Sequence, residues 1–182
     1  MKANPMPAVV DFMAGLVDGL DVASGGELRV ALDTGMNPHD ISFAGPGKQD
    51  VELRQAVAAG ILVNVESERE LPVLAAASDS LGLQARVAVR VNPGFELKAS
   101  GMKMGGGPKQ FGIDAEQVPR VLAEIGRLGL GFEGFHIFSG SQNLRPESIC
   151  DAQSKALALA IELAEHAPSP LRTLNLGGGF GI

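Results

Sequence analysis

The chain has 182 residues, 45% hydrophobic and 20% charged, with a net charge of −6 and no Lys/Arg cluster. That balance is enough for a domain with a real core and argues against a nucleic-acid surface, which needs a basic footprint. No apolar run approaches the roughly 20 residues of a membrane helix, Lys2 is followed by Asn4, Pro5 and Pro7 in place of a signal-type apolar stretch, and the single Cys150 cannot close an internal disulfide. A cytoplasmic location is therefore expected, with no membrane partner.

In chain order, short apolar runs alternate with amphipathic ones. The chain opens on a Met-Lys-Ala-Asn-Pro turn with no strand ahead of it. Residues 20–23 read as a strand. Ser24, with Glu27 three residues on, has the capping-box spacing for a helix that stops at Gly35. Residues 41–44 form the next strand, Gly45-Pro46-Gly47 a turn, and residues 49–59 a helix ended by Gly60. A strand at 61–65 leads to Ser67 and Glu70, a second capping-box pair. Residues 84–91 alternate as a strand should. Residues 94–112, with five glycines between Gly101 and Gly112, predict a long loop. Then come a helix at 115–128, a strand at 130–138, a long helix at 146–167 and a last strand at 173–176. The chain stops within a glycine loop, where a helix normally follows. We therefore expect a segment of a larger protein, with one domain, residues 1–182, incomplete at both ends.

Repeated βα units demand a parallel sheet with helices outside it. Both an open doubly wound sheet and a (β/α)8 barrel satisfy this. Strands joined by single helices with no evident reversal favour the TIM-type barrel. In either architecture ligands bind at the carboxyl ends of the strands. Polar or glycine-rich segments stand there: Asp21 to Glu27, Gly45 to Lys48, Arg90 to Pro93, Phe138 to Gln142 and Gly177 to Phe180. Bare backbone amides at Gly177, Gly178 and Gly179 can wrap a phosphate, although a plain tight turn uses the same residues. Ser141 could add a hydroxyl to that phosphate or simply belong to a surface turn.

Taken together, Lys2-Ala-Asn4, Asp21-Val-Ala-Ser-Gly-Gly-Glu-Leu28, Phe43-Ala-Gly-Pro-Gly-Lys48, Asn64-Val-Glu-Ser67, Arg90-Val-Asn-Pro93, Phe111-Gly-Ile113, Gly140-Ser-Gln142 and Leu176-Gly-Gly-Gly-Phe180 resemble, in this order, the ornithine/diaminopimelate/arginine decarboxylase family, whose barrel is alanine-racemase-like. The stretches at 101–114 and 135–144 resemble the branch associated with exosortase gene systems and acyl-carrier-linked amino-acid decarboxylation. The resemblance implies a pyridoxal 5'-phosphate-dependent amino-acid decarboxylase, a carboxy-lyase. Lys2 matches the lysine to which the family attaches the cofactor, and lysine suits that role because its amine can be made neutral and nucleophilic. A terminal lysine is otherwise just a solvated charge.

By the same resemblance, Asp21 and Glu27 match acids that tune the lysine, Arg90 matches a strand-end arginine near the cofactor, and Ser141 with Gly177, Gly178 and Gly179 matches the phosphate cradle. Glu27 also fits as a capping residue, and Arg90 as an ion-pair partner. Phe138 occupies a position where the family often has a histidine, and is expected to stack on the cofactor ring without carrying a proton. His136, two residues earlier, reads as a core histidine. Gln110 stands where lysine is common. The family's ring-nitrogen acid, its partner-subunit cysteine and its C-terminal β domain would lie beyond residue 182, so the resemblance implies a homodimer when full length and an inactive segment alone. The substrate stays open among diaminopimelate, basic amino acids and an amino acid on an acyl-carrier protein. Three alternatives also stand: a racemase of the same barrel type, a non-catalytic pyridoxal-phosphate-binding protein, and a barrel domain binding another phosphorylated ligand.

Overall fold

The computed structural model describes residues 1–94, 111–140 and 143–181. Residues 95–110 of the loop predicted at 94–112, Gln110 among them, lie outside the described residues, as do Ser141 and Gln142. Two compact units are formed, Met1–Val87 with Leu128–Gly131, and Ala88–Arg127 with Phe132–Ile182.

The first unit opens with α1 (Pro7–Ala14), which the sequence reading missed. Pro7 stands at its start, where a missing N–H costs nothing. Only Val10 of α1 is buried, while Phe12 is 68% exposed, so the helix shows no apolar stripe to read. Next come β1 (Leu20–Val22), α2 (Gly25–Asp33), β2 (Ile41–Phe43), α3 (Asp50–Ala59), β3 (Leu62–Val65) and α4 (Glu70–Leu81). β1 pairs with β2 and β2 with β3, all parallel, with Asp21 opposite Ser42 and Phe43 opposite Val63. Side chains alternate across a strand. Leu20, Val22, Ile41, Phe43, Val63 and Val65 are therefore buried on one face, where Leu28, Leu53, Leu71 and Leu74 of the helices are also buried. Asp21, Ser42 and Asn64 share the other.

The two expected capping boxes turn out differently. Ser24 Oγ accepts from Glu27 N at 3.2 Å as predicted, but the Glu27 carboxylate reaches Ala23 N at 2.8 Å, one residue ahead of the cap. Ser67 Oγ accepts from Arg69 N, and Glu70 is buried in an ion pair instead of closing a box. The helix accordingly begins at Glu70. A carboxylate that finds a buried cation gains more than one that merely caps a solvated helix end.

In the second unit, β4 (Arg86–Asn92) pairs in parallel with a short β5 (Ile113–Asp114), and α5 (Val118–Arg127) buries Val118, Val121, Leu122 and Ile125, one face at helical spacing. β6 (Gly131–Ile137), α6 (Pro146–Ala164) and β7 (Thr173–Asn175) follow. β6 and β7 pair in parallel, with Gly134 opposite Thr173 and His136 opposite Asn175. A Cβ on Gly134 would lie 1.7 Å from the Thr173 carbonyl oxygen, so only glycine permits this close approach.

Among the described residues the strand order is β1-β2-β3-β4-β6-β7, with β5 beside β4. The order follows the chain without reversal. A doubly wound sheet needs a point where the order turns back. This sequential parallel order is that of a (β/α)-barrel sheet, as expected.

Candidate functional site

At the carboxyl ends of the first unit's strands, Asp21, Ser42 and Asn64 form a polar row. Ser42 Oγ donates to Asp21 Oδ1, and Asn64 Nδ2 donates to Ser42 Oγ at 3.4 Å. The start of the chain is tied to this row, because Met1 N donates to the Asp21 carbonyl oxygen at 3.0 Å and Asn4 N turns back to Met1 O at 3.1 Å. Lys2 follows this anchored Met1, and its side chain is exposed.

The second lysine of the unit is in the opposite condition. Lys48 is 4% exposed and its ammonium is saturated: it donates to Gly45 O at 2.6 Å and Asn64 O at 2.9 Å, and pairs with Glu70 Oε1 at 3.1 Å. Glu70 Oε2 accepts from Glu66 N at 3.1 Å, and Glu66 Oε1 accepts from Gly45 N at 2.5 Å. Burial pushes the Glu70 carboxyl above its ordinary range, against the opposing pull of Lys48. Every hydrogen of the Lys48 ammonium has a protein acceptor, so this lysine holds the β2–α3 loop. An amine must be available to attack a carbonyl carbon; the Lys48 amine is engaged, whereas the Lys2 side chain is exposed.

The second unit carries the glycine loop. Gly177 has φ +68°, and a Cβ there would lie 2.4 Å from Phe138 Cδ2. The half-buried Phe138 ring thus rests where a Gly177 side chain would be, which explains why glycine follows β7. Gly177 N donates to Asn175 Oδ1 at 2.8 Å, so this amide is engaged within the loop. A Cβ on Gly178 would meet nothing within 4 Å, and Gly179 has φ +87°. Asn143 flanks the loop: its N–H donates to Gly179 O and its carbonyl accepts from Gly181 N, both at 2.9 Å. Arg90, at the end of β4, lies over the Phe111 ring with its guanidinium carbon 4.9 Å from the centroid.

These strand ends are matched by known proteins. All of residues 1–182 match the family model described as pyridoxal-dependent decarboxylase, pyridoxal binding domain. The chain belongs to this family. Relatives of the chain include the L-glutamyl-(BtrI acyl-carrier protein) decarboxylase of Niallia circulans, 37% identical over 90% of the chain and 39% of that protein. The diaminopimelate decarboxylase of Aquifex aeolicus is 36% identical over all of the chain and 44% of its own length. The 2-[(L-alanin-3-ylcarbamoyl)methyl]-2-hydroxybutanedioate decarboxylase of Staphylococcus aureus is 35% identical over all of the chain and 46% of its own length. The crystal structure of diaminopimelate decarboxylase from Helicobacter pylori complexed with L-lysine superposes with a TM-score of 0.84 at 31% identity, over 98% of this chain and 46% of that one. The chain therefore spans less than half the length of the curated relatives it matches.

The cofactor implied by this family is pyridoxal 5'-phosphate. The residues present fit it on two observations. The Lys2 side chain is exposed, and the loop after β7 keeps glycine where Phe138 forbids a side chain. The structure ties the chain start to Asp21 through Met1 in the first unit and brings Phe138 and Gly177 together in the second. Arg90 is engaged with an aromatic ring, and Glu27 with its own loop. His136 is half-buried and partnered in β6. The sequence reading missed Ser42 and Asn64 as members of the polar row. Their signal was the period-two alternation, which leaves a polar residue on the same face of β1, β2 and β3.

Proposed function

We propose that this chain is the cofactor-binding portion of a pyridoxal-phosphate-dependent decarboxylase that removes the carboxylate on the α-carbon of an amino acid. The observation that carries the reading is the family match along all 182 residues, and the exposed Lys2 is the residue that the sequence resemblance assigns to the family's lysine. The bound cofactor supplies an electron sink for the bond being broken. Lys2 would hold the aldehyde end of the cofactor through its amine, and Asp21, which accepts from Ser42 Oγ, would tune the charge there. Gly178, Gly179 and Ser141 hold the phosphate, and Gly177, whose amide donates to Asn175 Oδ1, shapes the loop around it. Phe138 offers an apolar face to the ring, and a phenyl group can neither donate nor take up a proton there. Arg90, which lies over the Phe111 ring, is the strand-end arginine that the family resemblance assigns to the cofactor.

The substrate class we favour is an amino acid whose side-chain end is held outside these residues, diaminopimelate-like, basic or carrier-tethered. An acyl-carrier protein is the partner in the last case, and a homodimer is the assembly of the full-length protein. A cytoplasmic location accords with an exposed free Cys150 and with the absence, among the described residues, of any helix long and apolar enough to cross a membrane. All three relatives named above are decarboxylases, which favours carbon dioxide release over racemisation.

The test uses the full-length protein. Purified protein should be yellow, and borohydride reduction followed by peptide mapping should place the cofactor on Lys2. Carbon dioxide should be released from one of the amino-acid classes. A label on Lys48, or no label, overturns the assignment of Lys2. Inversion at the α-carbon without carbon dioxide overturns the decarboxylase reading in favour of a racemase.

A further inference from the structure

Asn143 is 2% exposed, and its side-chain nitrogen Nδ2 finds no hydrogen-bond partner among the described residues. The orientation of the amide is set by its other end, because Oδ1 accepts from Arg145 N at 2.9 Å. A flipped amide would put an NH2 against that N–H, donor against donor. Nδ2 is therefore a true donor, buried and unused. Proteins seldom keep such a group, since removing a donor from water without giving it an acceptor is costly. The exceptions are expected where a ligand brings the acceptor.

Three further features identify that ligand as an anion. Through Asn143 N to Gly179 O and Gly181 N to Asn143 O, the backbone of the residue is tied to the glycine loop. Within the loop, Gly178 faces open space and Gly179 adopts the left-handed conformation that redirects a peptide group. The Arg145 amide bonded to Asn143 Oδ1 belongs to the cap of the 19-residue helix α6, whose positive dipole end lies there.

We infer that the Asn143 side-chain amide is a hydrogen-bond donor to the cofactor's phosphate monoester, additional to the glycine loop itself. The inference rests on the cofactor reading above and deepens it. A buried neutral donor adds directionality without a competing counter-charge, and it discriminates a phosphate-bearing ligand from the same ligand without phosphate.

The experiment compares dissociation constants of pyridoxal phosphate, pyridoxal and inorganic phosphate for the full-length wild-type protein, Asn143→Asp and Asn143→Ala, read by absorbance and by calorimetry. Asn143→Asp keeps the oxygen that Arg145 N needs but replaces the donor with an acceptor. Pyridoxal phosphate should bind Asn143→Asp at least about 10-fold more weakly, as loss of a bond to a charged group implies, while pyridoxal affinity stays within about 2-fold of wild type. Asn143→Ala should weaken pyridoxal phosphate by a smaller factor, and it carries the test if the aspartate variant fails to fold. Equal weakening of pyridoxal and pyridoxal phosphate, or no weakening of either, overturns the inference. If wild type binds inorganic phosphate, and Asn143→Asp does not, but neither binds pyridoxal phosphate, the anion site stands and the cofactor reading falls. Wild-type protein that binds neither overturns both.

Discussion

Lys48 and Asn143 are both polar side chains almost wholly removed from water, at 4% and 2% exposure, and both sit in loops after strands of a parallel sheet. Their surroundings differ. The three donors of Lys48 end on two carbonyls and a carboxylate, and that carboxylate accepts a further backbone N–H. Asn143 has one end of its amide committed and the other unmet. A network closed within the protein needs nothing from outside and serves the fold. One left open by a single donor is complete only with a ligand. The comparison separates the lysine that builds the β2–α3 loop from the residues offered to chemistry, and each prediction below tests that separation.

The largest effect is expected at the exposed lysine. Lys2→Ala in the full-length protein should abolish decarboxylation and leave no borohydride-fixed cofactor, with the melting temperature of the cofactor-free protein little changed, because an exposed side chain contributes little to stability. Lys48→Met should do the reverse in kind. It leaves Glu70 as a buried unpaired carboxylate, at a cost of about 3–5 kcal/mol in unfolding free energy, measurable by denaturant titration. If Lys2→Ala unfolds the protein, or Lys48→Met leaves its stability intact, the division between the two lysines is wrong.

Gly177→Ala is expected to cost about 1–3 kcal/mol, because the added Cβ would meet Phe138 Cδ2 at 2.4 Å and φ is +68°. The double variant with Phe138→Ala should recover the steric part of that loss and keep the strain at the left-handed residue. A thermal melt of both variants against wild type measures the difference. Full recovery would mean that the backbone conformation carries no penalty; no recovery would mean that the ring does not restrict position 177.

How much of this was legible in the sequence follows from the same contrast. The βα alternation was readable because strands buried on one face and helices with apolar stripes leave their periods in the chain, as at Val118, Val121, Leu122 and Ile125 of α5. Helix α1 was not, since its apolar residues are mostly exposed and show no stripe. The Ser67 and Glu70 spacing was read as a capping box, whereas Glu70 is drawn to Lys48, 22 positions earlier in the chain; a local motif carries no trace of a distant cation. The glycine loop was readable from its bare amides after a strand, whereas Lys2 entered only through a resemblance spread over the chain. Asn143 was not legible at all, because an unsatisfied donor is a property of neighbours and not of residue type.

The smallest effect lies in the pH dependence of the closed network. Burial raises the Glu70 carboxyl in the folded protein above its value in the unfolded chain. Between those two values the folded state retains a proton that the unfolded state has released. By linkage, the stability contributed by the protonated group is fully present below the unfolded value and is lost as pH rises through the folded one, with a slope of at most about 1.4 kcal/mol per pH unit from one site. Glu70→Gln cannot titrate, so this descending component should vanish from its stability profile, whatever constant offset follows from leaving the Lys48 charge without its partner. Denaturant titrations from pH 4 upward, compared between wild type and Glu70→Gln, isolate the difference. A wild-type curve that rises relative to the variant across this window would mean that the pull of Lys48 outweighs burial, so that the ion pair, and not desolvation, governs the loop.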